Sequence, residues 1–126
     1  MPKQQTILLV EDDGFLVQMY ASKLEMEGFK VLAAVDGEKA LRIIKKEHPD
    51  LILLDLLLPK KDGFQVLKEL KQDESVKDIP VVVLSNLGQR GDIEKCFSLG
   101  AVDYLIKAHF IPSEVIAKLK AHLENY

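Results

Sequence analysis

The sequence predicts an α/β fold in which one parallel sheet carries helices on both faces. Apolar runs of strand length alternate with amphipathic segments of helix length along all 126 residues. This alternation with short connections is typical of parallel strands joined by crossover helices. The run LILLDLLLP at 51–59, in which only Asp55 is not apolar, is typical of a strand buried on both faces.

The predicted elements follow from two spacings of apolar residues. Short runs rich in Val, Ile and Leu favour extended chain, and they cover residues 6–10, 30–34, 51–54, 79–84 and 103–106. Apolar residues at the i, i+3/i+4 spacing indicate helices with one buried face, at about 15–27, 92–99 and 112–123. A second helix carries Ala40, Leu41 and Ile44, and a third carries Phe64, Val66, Leu67 and Leu70.

Glycine and proline mark the ends of several of these segments. Gly28 and Gly100 stop the first and fourth helices, and Pro112 opens the last one. The polar segment 72–78 is predicted to be a loop. The segment 88–91, with two glycines and no apolar anchor, is predicted to be a mobile connection.

The length of the chain, with no linker or internal repeat, predicts a single domain over residues 1–126, with its core at about 6–124. The net charge of −3 argues against nucleic acid or an anionic membrane as the main partner. No apolar run approaches the ~20 residues of a membrane span, and the start lacks the apolar core of a signal peptide, so we expect a cytoplasmic protein. A single cysteine, Cys96, excludes an internal disulfide.

Polar residues of three chemical types follow the predicted strands. Glu11 and Asp12 follow the first strand, Asp55 the third, Ser85 the fourth and Lys107 the fifth, so all lie at the carboxyl edge of a parallel sheet. Clustered carboxylates call for a cation, and oxygen ligands favour Mg²⁺ or Mn²⁺. A lysine and a hydroxyl suit an anion, so the set predicts phosphoryl transfer to an aspartate nucleophile.

Five motifs resemble the receiver domain of two-component response regulators, and together they span almost the whole chain. They are ILLVEDD at 7–13, DGEKAL at 36–41, PDLILLDLLLPKKDG at 49–63, VVVLSN at 81–86 and GAVDYLIK at 100–107. The resemblance implies a flavodoxin-like, doubly wound (βα)5 sandwich with strand order 2-1-3-4-5. It also implies Asp55 as the phosphoacceptor, served by a histidine kinase or a histidine phosphotransfer protein.

The same resemblance assigns the remaining site residues. Mg²⁺ would be held by Asp12 directly, by Glu11 through water, by Asp55 and by the backbone carbonyl of Leu57. The phosphoryl oxygens would be contacted by Lys107 and by Ser85. Tyr104 occupies the switch-aromatic position, and the surface of the fourth helix, fifth strand and fifth helix would be read by a partner.

Three residues depart from the family pattern. Glu11 replaces the commoner Asp of the acid pair, and we expect metal binding to survive because the longer arm suits a water-mediated contact. Ala108 stands where the family has proline after the lysine, generally with a cis peptide. A non-proline cis bond costs about 3 kcal/mol, so both geometries stay open. Asn86 replaces a usually smaller residue, which would narrow the approach to the phosphoryl group or hydrogen-bond to it.

Two apolar residues suggest a long-lived phosphorylated state. Leu57 and Leu87 lie two residues after Asp55 and Ser85, at positions that in this family flank the path of the hydrolytic water. We expect them to slow dephosphorylation.

Several plain interpretations stand beside these roles. Asp13 is expected to be an exposed helix-start residue, Cys96 a packing thiol, and Tyr104 could serve only to pack the strand edge. The three histidines are expected on the surface; they are His48, His109 and His122.

Three other functions are alternatives to the receiver domain. A haloacid-dehalogenase-like phosphatase needs a second acid where Leu57 stands, and a flavodoxin-like cofactor binder needs a phosphate loop where Glu11 and Asp12 stand. A phosphorylation-independent interaction module would not need the complete acid, hydroxyl and lysine set. We therefore expect a stand-alone receiver domain, monomeric or weakly dimeric, that docks to an effector or passes its phosphoryl group on. It would be no turnover enzyme and would not contact nucleic acid directly.

Overall fold

The computed structural model describes residues 3–124, and its five strands form one parallel sheet in the order β2-β1-β3-β4-β5. The strands are β1 (Thr6–Val10), β2 (Lys30–Ala34), β3 (Leu51–Leu54), β4 (Val81–Ser85) and β5 (Asp103–Ile106). The predicted α/β class and strand order are thus confirmed. The order reverses between β1 and β3, which is where ligands bind in open sheets of this type.

The five helices alternate with the strands. They are α1 (Gly14–Met26), α2 (Gly37–Glu47), α3 (Gly63–Lys71), α4 (Arg90–Ser98) and α5 (Pro112–Glu124). The first three helices each begin after an aspartate whose carboxylate accepts backbone N–H groups of the first turn. Such caps satisfy donors that have no partner within the helix; these caps are Asp13, Asp36 and Asp62.

The sheet separates two apolar cores. Alternate residues of a strand point to opposite faces, so Leu8 and Val10 of β1 pack with α2, α3 and α4. Ile7 and Leu9 pack with α1 and α5 on the other face. All four side chains are essentially inaccessible to solvent, which explains why the strand sequences are apolar without alternation.

Two predicted starts differ from the structure by two residues. Strand β4 begins at Val81 rather than at residue 79, because the N–H of Ile79 donates to the carbonyl of Val76 (3.1 Å) and closes a turn. Proline at position 80 offers no N–H for the sheet. Helix α4 begins at Arg90 rather than near residue 92, so the second half of the segment 88–91, which was predicted to be a mobile connection, is helical.

Helix α4 buries fewer residues than any of the other four helices. Its cap residue, Gln89, makes no side-chain hydrogen bond to the first turn, and Cys96 is its one buried residue. Cys96 is fully buried, as expected for a packing thiol, and burial raises the pKa of its thiol to about 11. The ammonium of Lys95 lies 4.3 Å from the centre of the Phe64 ring, which adds a cation–π contact between α4 and α3.

The histidine prediction was right for two residues of three. His48 and His109 are exposed. His122 on α5 is partly buried, and its Nε2 lies 2.9 Å from Oδ2 of Asp103 at the start of β5. No helix between residues 3 and 124 is long and apolar enough to cross a membrane.

Candidate functional site

Strand register places the acidic residues of β1 and β3 side by side. Val10 pairs with Leu54 at the ends of these two central strands, and the N–H of Asp55 extends the ladder by donating to the Val10 carbonyl (3.0 Å). Because the chain leaves both strands at this point, Glu11 and Asp55 emerge together. The carboxyl edge of the sheet therefore carries the acids that the sequence predicted there.

Three carboxylates form a cluster at this edge. Glu11, Asp12 and Asp55 each present one oxygen, and these oxygens all lie within 4.8 Å of one another. Asp55 is 6% exposed, whereas Asp12 is exposed to solvent. The cluster is thus exposed to solvent at Asp12 and buried at Asp55.

Lys107 completes the cluster from the end of β5. Its Nζ lies 2.6 Å from Oε1 of Glu11 and 3.0 Å from Oδ2 of Asp55. Burial lowers the pKa of Lys107, but its hydrogen bonds to the two carboxylates outweigh burial and raise the pKa above its ordinary 10.5. This ammonium therefore stays charged and reaches both acids.

The charge of the cluster is incompletely balanced. Burial raises the pKa of Glu11 above 4.5, the hydrogen bond from Lys107 opposes that shift, and the negative charge of Asp55 raises the pKa further. Within the described residues, Lys107 is the one salt-bridge partner of Glu11 and of Asp55. Three carboxylates facing one ammonium fit a divalent cation such as Mg²⁺ or Mn²⁺, which takes oxygen ligands.

Local turns orient the two side chains nearest the sheet. The N–H of Leu57 donates to Oδ1 of Asp55 (3.3 Å), and the N–H of Leu87 donates to Oγ of Ser85 (3.4 Å). These are side-chain-to-backbone turns spanning two residues. Ser85 is fully buried, and its register partner Ile106 precedes Lys107, so the hydroxyl belongs to the same edge.

Tyr104 is linked to Ser85 through one backbone segment. Its hydroxyl donates to the carbonyl of Leu87, the residue whose N–H contacts Ser85. Burial raises the pKa of Tyr104 to about 12, with smaller contributions from nearby acidic groups, so the phenol stays a hydrogen-bond donor at neutral pH. If Ser85 and Leu87 move together, the hydrogen bond from the Tyr104 hydroxyl to the Leu87 carbonyl must therefore change.

The departures from the family pattern have defined positions. No peptide bond between residues 3 and 124 is cis, so the Lys107–Ala108 bond is trans, and Lys107–His109 form a short 3₁₀ turn. Asn86 is exposed. Leu57, which was expected to flank the path of the hydrolytic water, is 57% exposed. Binding of a metal by the Leu57 carbonyl stays a prediction.

Sequence reasoning missed some long-range contacts. It placed Lys107 at the edge as a partner for an anion, but not its direct contact with Glu11, 96 positions earlier in the chain. It also missed the close approach of Gly37 to Lys61. The Asp-Gly pair at 36–37 was visible as a helix-entry signal, but the packing partner of its glycine depends on tertiary structure.

Comparison with known proteins identifies the class that this fold and site define. The family model described as "Response regulator receiver domain" matches residues 7–120, and the chain belongs to this family. The resemblance identified from the five sequence motifs is thereby confirmed.

Proteins similar to this chain include a transcriptional regulator and two receiver domains of known structure. The DNA-binding dual master transcriptional regulator RpaA of Synechocystis is 44% identical over 119 residues, covering 94% of this chain and 49% of that protein. The BeF3-activated N-terminal receiver domain of Klebsiella pneumoniae RstA has a TM-score of 0.86 at 32% identity, covering 94% and 98%. The Francisella response regulator 1452 receiver domain has a TM-score of 0.89 at 29% identity, covering 97% and 98%. The chain spans about half the length of the curated relatives it matches.

Proposed function

We propose that this chain is a signalling switch that accepts a phosphoryl group on Asp55 in a Mg²⁺-dependent reaction. The donor would be a phosphohistidine of a histidine kinase or of a histidine phosphotransfer protein. The observation that carries the proposal is the position of the Lys107 ammonium, which bridges Glu11 and Asp55 beside the Asp12 carboxylate. The acids, the lysine and the buried hydroxyl lie at one edge of the sheet, and their chemistry suits a tetrahedral anion attached to Asp55.

The transfer forms a bond between phosphorus and an Asp55 carboxylate oxygen and breaks the phosphorus–nitrogen bond of the donor imidazole, which keeps the electron pair. Lys107 would contact the oxygens of the transferred group, and the Ser85 hydroxyl would donate to one of them. Glu11, Asp12, Asp55 and the Leu57 carbonyl would hold Mg²⁺. When bound, this ion supplies positive charge that offsets the charge of the phosphoryl oxygens.

The response would pass through the contacts around Leu87. Drawing the Ser85 hydroxyl toward the new phosphoryl group would disturb its contact with the Leu87 N–H, and with it the Leu87 carbonyl that holds Tyr104. The surface formed by α4, β5 and α5 would then have two conformations, one for the unphosphorylated and one for the phosphorylated protein. The new contacts at Asp55 would lower the free energy of the second conformation relative to the first. An effector protein that binds this surface would read the change.

Phosphorylation by a small donor tests the proposal. The protein is incubated with acetyl phosphate and Mg²⁺, and intact mass is measured; we expect the gain of one phosphoryl group. The gain should vanish in Asp55→Asn and after metal chelation. It should persist in Asp78→Asn, which changes an exposed aspartate in the connection before β4. No gain in the parent protein, or a gain that survives Asp55→Asn, would contradict the proposal.

The exposed residue Leu57 gives a prediction about the lifetime of the phosphorylated state. An amide in its place could hydrogen-bond the attacking water, and one such bond of about 1 kcal/mol corresponds to a rate increase of about fivefold. We therefore expect phosphorylated Leu57→Asn to decay faster than the parent, measured as loss of mass over time. Leu57→Ile keeps an apolar side chain and should decay like the parent. Equal decay of all three would show that Leu57 does not retard hydrolysis.

A further inference from the structure

The loop between β3 and α3 is held by a helix that contributes nothing to the acidic cluster. We propose that Gly37, the first residue of α2, is a positioning residue for the metal: it lets α2 fix the loop that carries Asp55 and Leu57. This inference rests on the proposed function, because it concerns the affinity of the same site for its cation. It assigns a role in metal binding to a residue outside the cluster.

The loop contains a turn that residues with side chains rarely adopt. Lys60 has a φ of +68°, and the N–H of Lys61 donates to the carbonyl of Pro59 (2.8 Å). A hydrogen bond across three residues with a positive central φ is the strained form of the γ-turn. Such a conformation persists where surrounding structure enforces it, so the contacts around Lys60 decide the path of the loop.

The start of α2 supplies those contacts. The N–H of Gly37 points at the same Pro59 carbonyl (3.4 Å), and a Cβ on Gly37 would lie 2.1 Å from the Lys61 carbonyl oxygen and 2.7 Å from its Cβ. The Asp36 carboxylate caps the helix at the N–H of Lys39 (2.8 Å). The same carboxylate lies 4.0 Å from the ammonium of Lys60. Only glycine allows α2 to approach the loop this closely.

The other end of the loop is equally confined. The N–H of Gly63 donates to the carbonyl of Leu56 (2.9 Å), and a Cβ on Gly63 would lie 2.4 Å from the carbonyl oxygen of Asp55. Residues 55–62 are thus held between the starts of α2 and α3. A group inserted at Gly37 must displace Lys61, and the displacement passes along this short segment toward Leu57 and Asp55.

The test measures Mn²⁺ affinity, with the free ion counted from its electron paramagnetic resonance signal. We expect Gly37→Ala to bind Mn²⁺ about tenfold more weakly than the parent, the lower end of the effect of altering residues that support metal ligands. Gly14→Ala is the matched control, because Gly14 is also the first residue of a helix after an aspartate cap, and a Cβ there meets nothing within 4 Å. Its affinity should equal that of the parent.

A stability-matched variant separates positioning from general damage. Leu119→Ala opens a cavity at a fully buried position of α5, in the core on the other face of the sheet from α2. It should lower the melting temperature without changing Mn²⁺ affinity. If Gly37→Ala shows parental affinity, or if Leu119→Ala weakens binding as much, the positioning role is wrong.

The unaltered protein gives a second test that does not require any variant to fold. Coupling between two sites is reciprocal, so Mg²⁺ should slow hydrogen exchange at the amides of Gly37 and Lys61. The amide of His48, at the far end of α2, should exchange at the same rate with and without Mg²⁺. Unchanged exchange at Gly37 despite metal binding would overturn the inference alone. Failure of the parent to bind either metal would overturn the proposed function as well.

Discussion

Replacing Lys107 with alanine is expected to slow phosphorylation of Asp55 by acetyl phosphate about 100-fold, the usual cost of losing one preorganised donor at a developing anion. The same variant should bind Mg²⁺ more tightly than the parent. The ammonium bridges Glu11 and Asp55, so removing it leaves the carboxylates without an opposing charge and removes a repulsion toward the metal. The rate of mass gain and the Mg²⁺ dissociation constant measure the two effects separately.

Slower phosphorylation together with tighter Mg²⁺ binding distinguishes a direct role of Lys107 at the site from a role in stability alone. A lysine that only stabilised the fold would lower both metal affinity and phosphorylation when removed. Lys120→Ala is the control, since Lys120 also lies in a salt bridge to a glutamate, Glu27, but away from the carboxyl edge. Both quantities should stay at parental values in that variant. Phosphorylation of Lys107→Ala at the parental rate would contradict the role given to this residue.

The second large effect is expected at Leu8. This residue is fully buried in β1, the strand that pairs with both β2 and β3, and its side chain belongs to the core beneath α2, α3 and α4. Leu8→Ala should lower the free energy of unfolding by about 3 kcal/mol through lost burial and the cavity left behind. Because domains of this size have roughly 5–15 kcal/mol in total, the urea midpoint should fall markedly.

An exposed apolar residue provides the comparison. Met26 at the end of α1 is 85% exposed, so Met26→Ala should change the free energy of unfolding by less than about 0.5 kcal/mol. A loss at Leu8 as small as that at Met26 would mean that the strand is not packed as described.

The apolar runs predicted the sheet well because its strands are buried on both faces. Strands β1, β3 and β4 contain little but aliphatic residues, and such runs have few alternatives to a central parallel strand. Their ends were harder to predict where the decisive contact is distant or where propensity misleads. Ile79 has the composition of a strand residue but turns back to Val76, and Gly91 is helical despite its weak propensity.

The acidic edge was predictable because parallel topology alone brings the ends of strands together. Once β1, β3 and β5 were recognised, Asp55, Glu11 and Lys107 could be placed at the same edge. That Lys107 reaches from the outer strand β5 across to Glu11 could not be predicted. What supports the edge was not predictable, because contacts such as that of Gly37 with Lys61 depend on how far α2 extends and on the path of the following loop. The pairing of His122 with Asp103 likewise joins residues that nothing in the local sequence connects.

The burial of Cys96 gives the molecule its own reporter of partial opening. Its thiol is inaccessible and has a pKa of about 11, so very little thiolate, the reactive species, is present at neutral pH while α4 is packed. Chemical labelling of this cysteine therefore requires α4 to leave the sheet, and the labelling rate measures how often it does. Cys96 is the one buried residue of α4, so its labelling rate reports the opening of this helix. Measuring the rate in the unphosphorylated and in the phosphorylated protein shows whether phosphorylation changes the packing of the helix that is proposed to carry the signal.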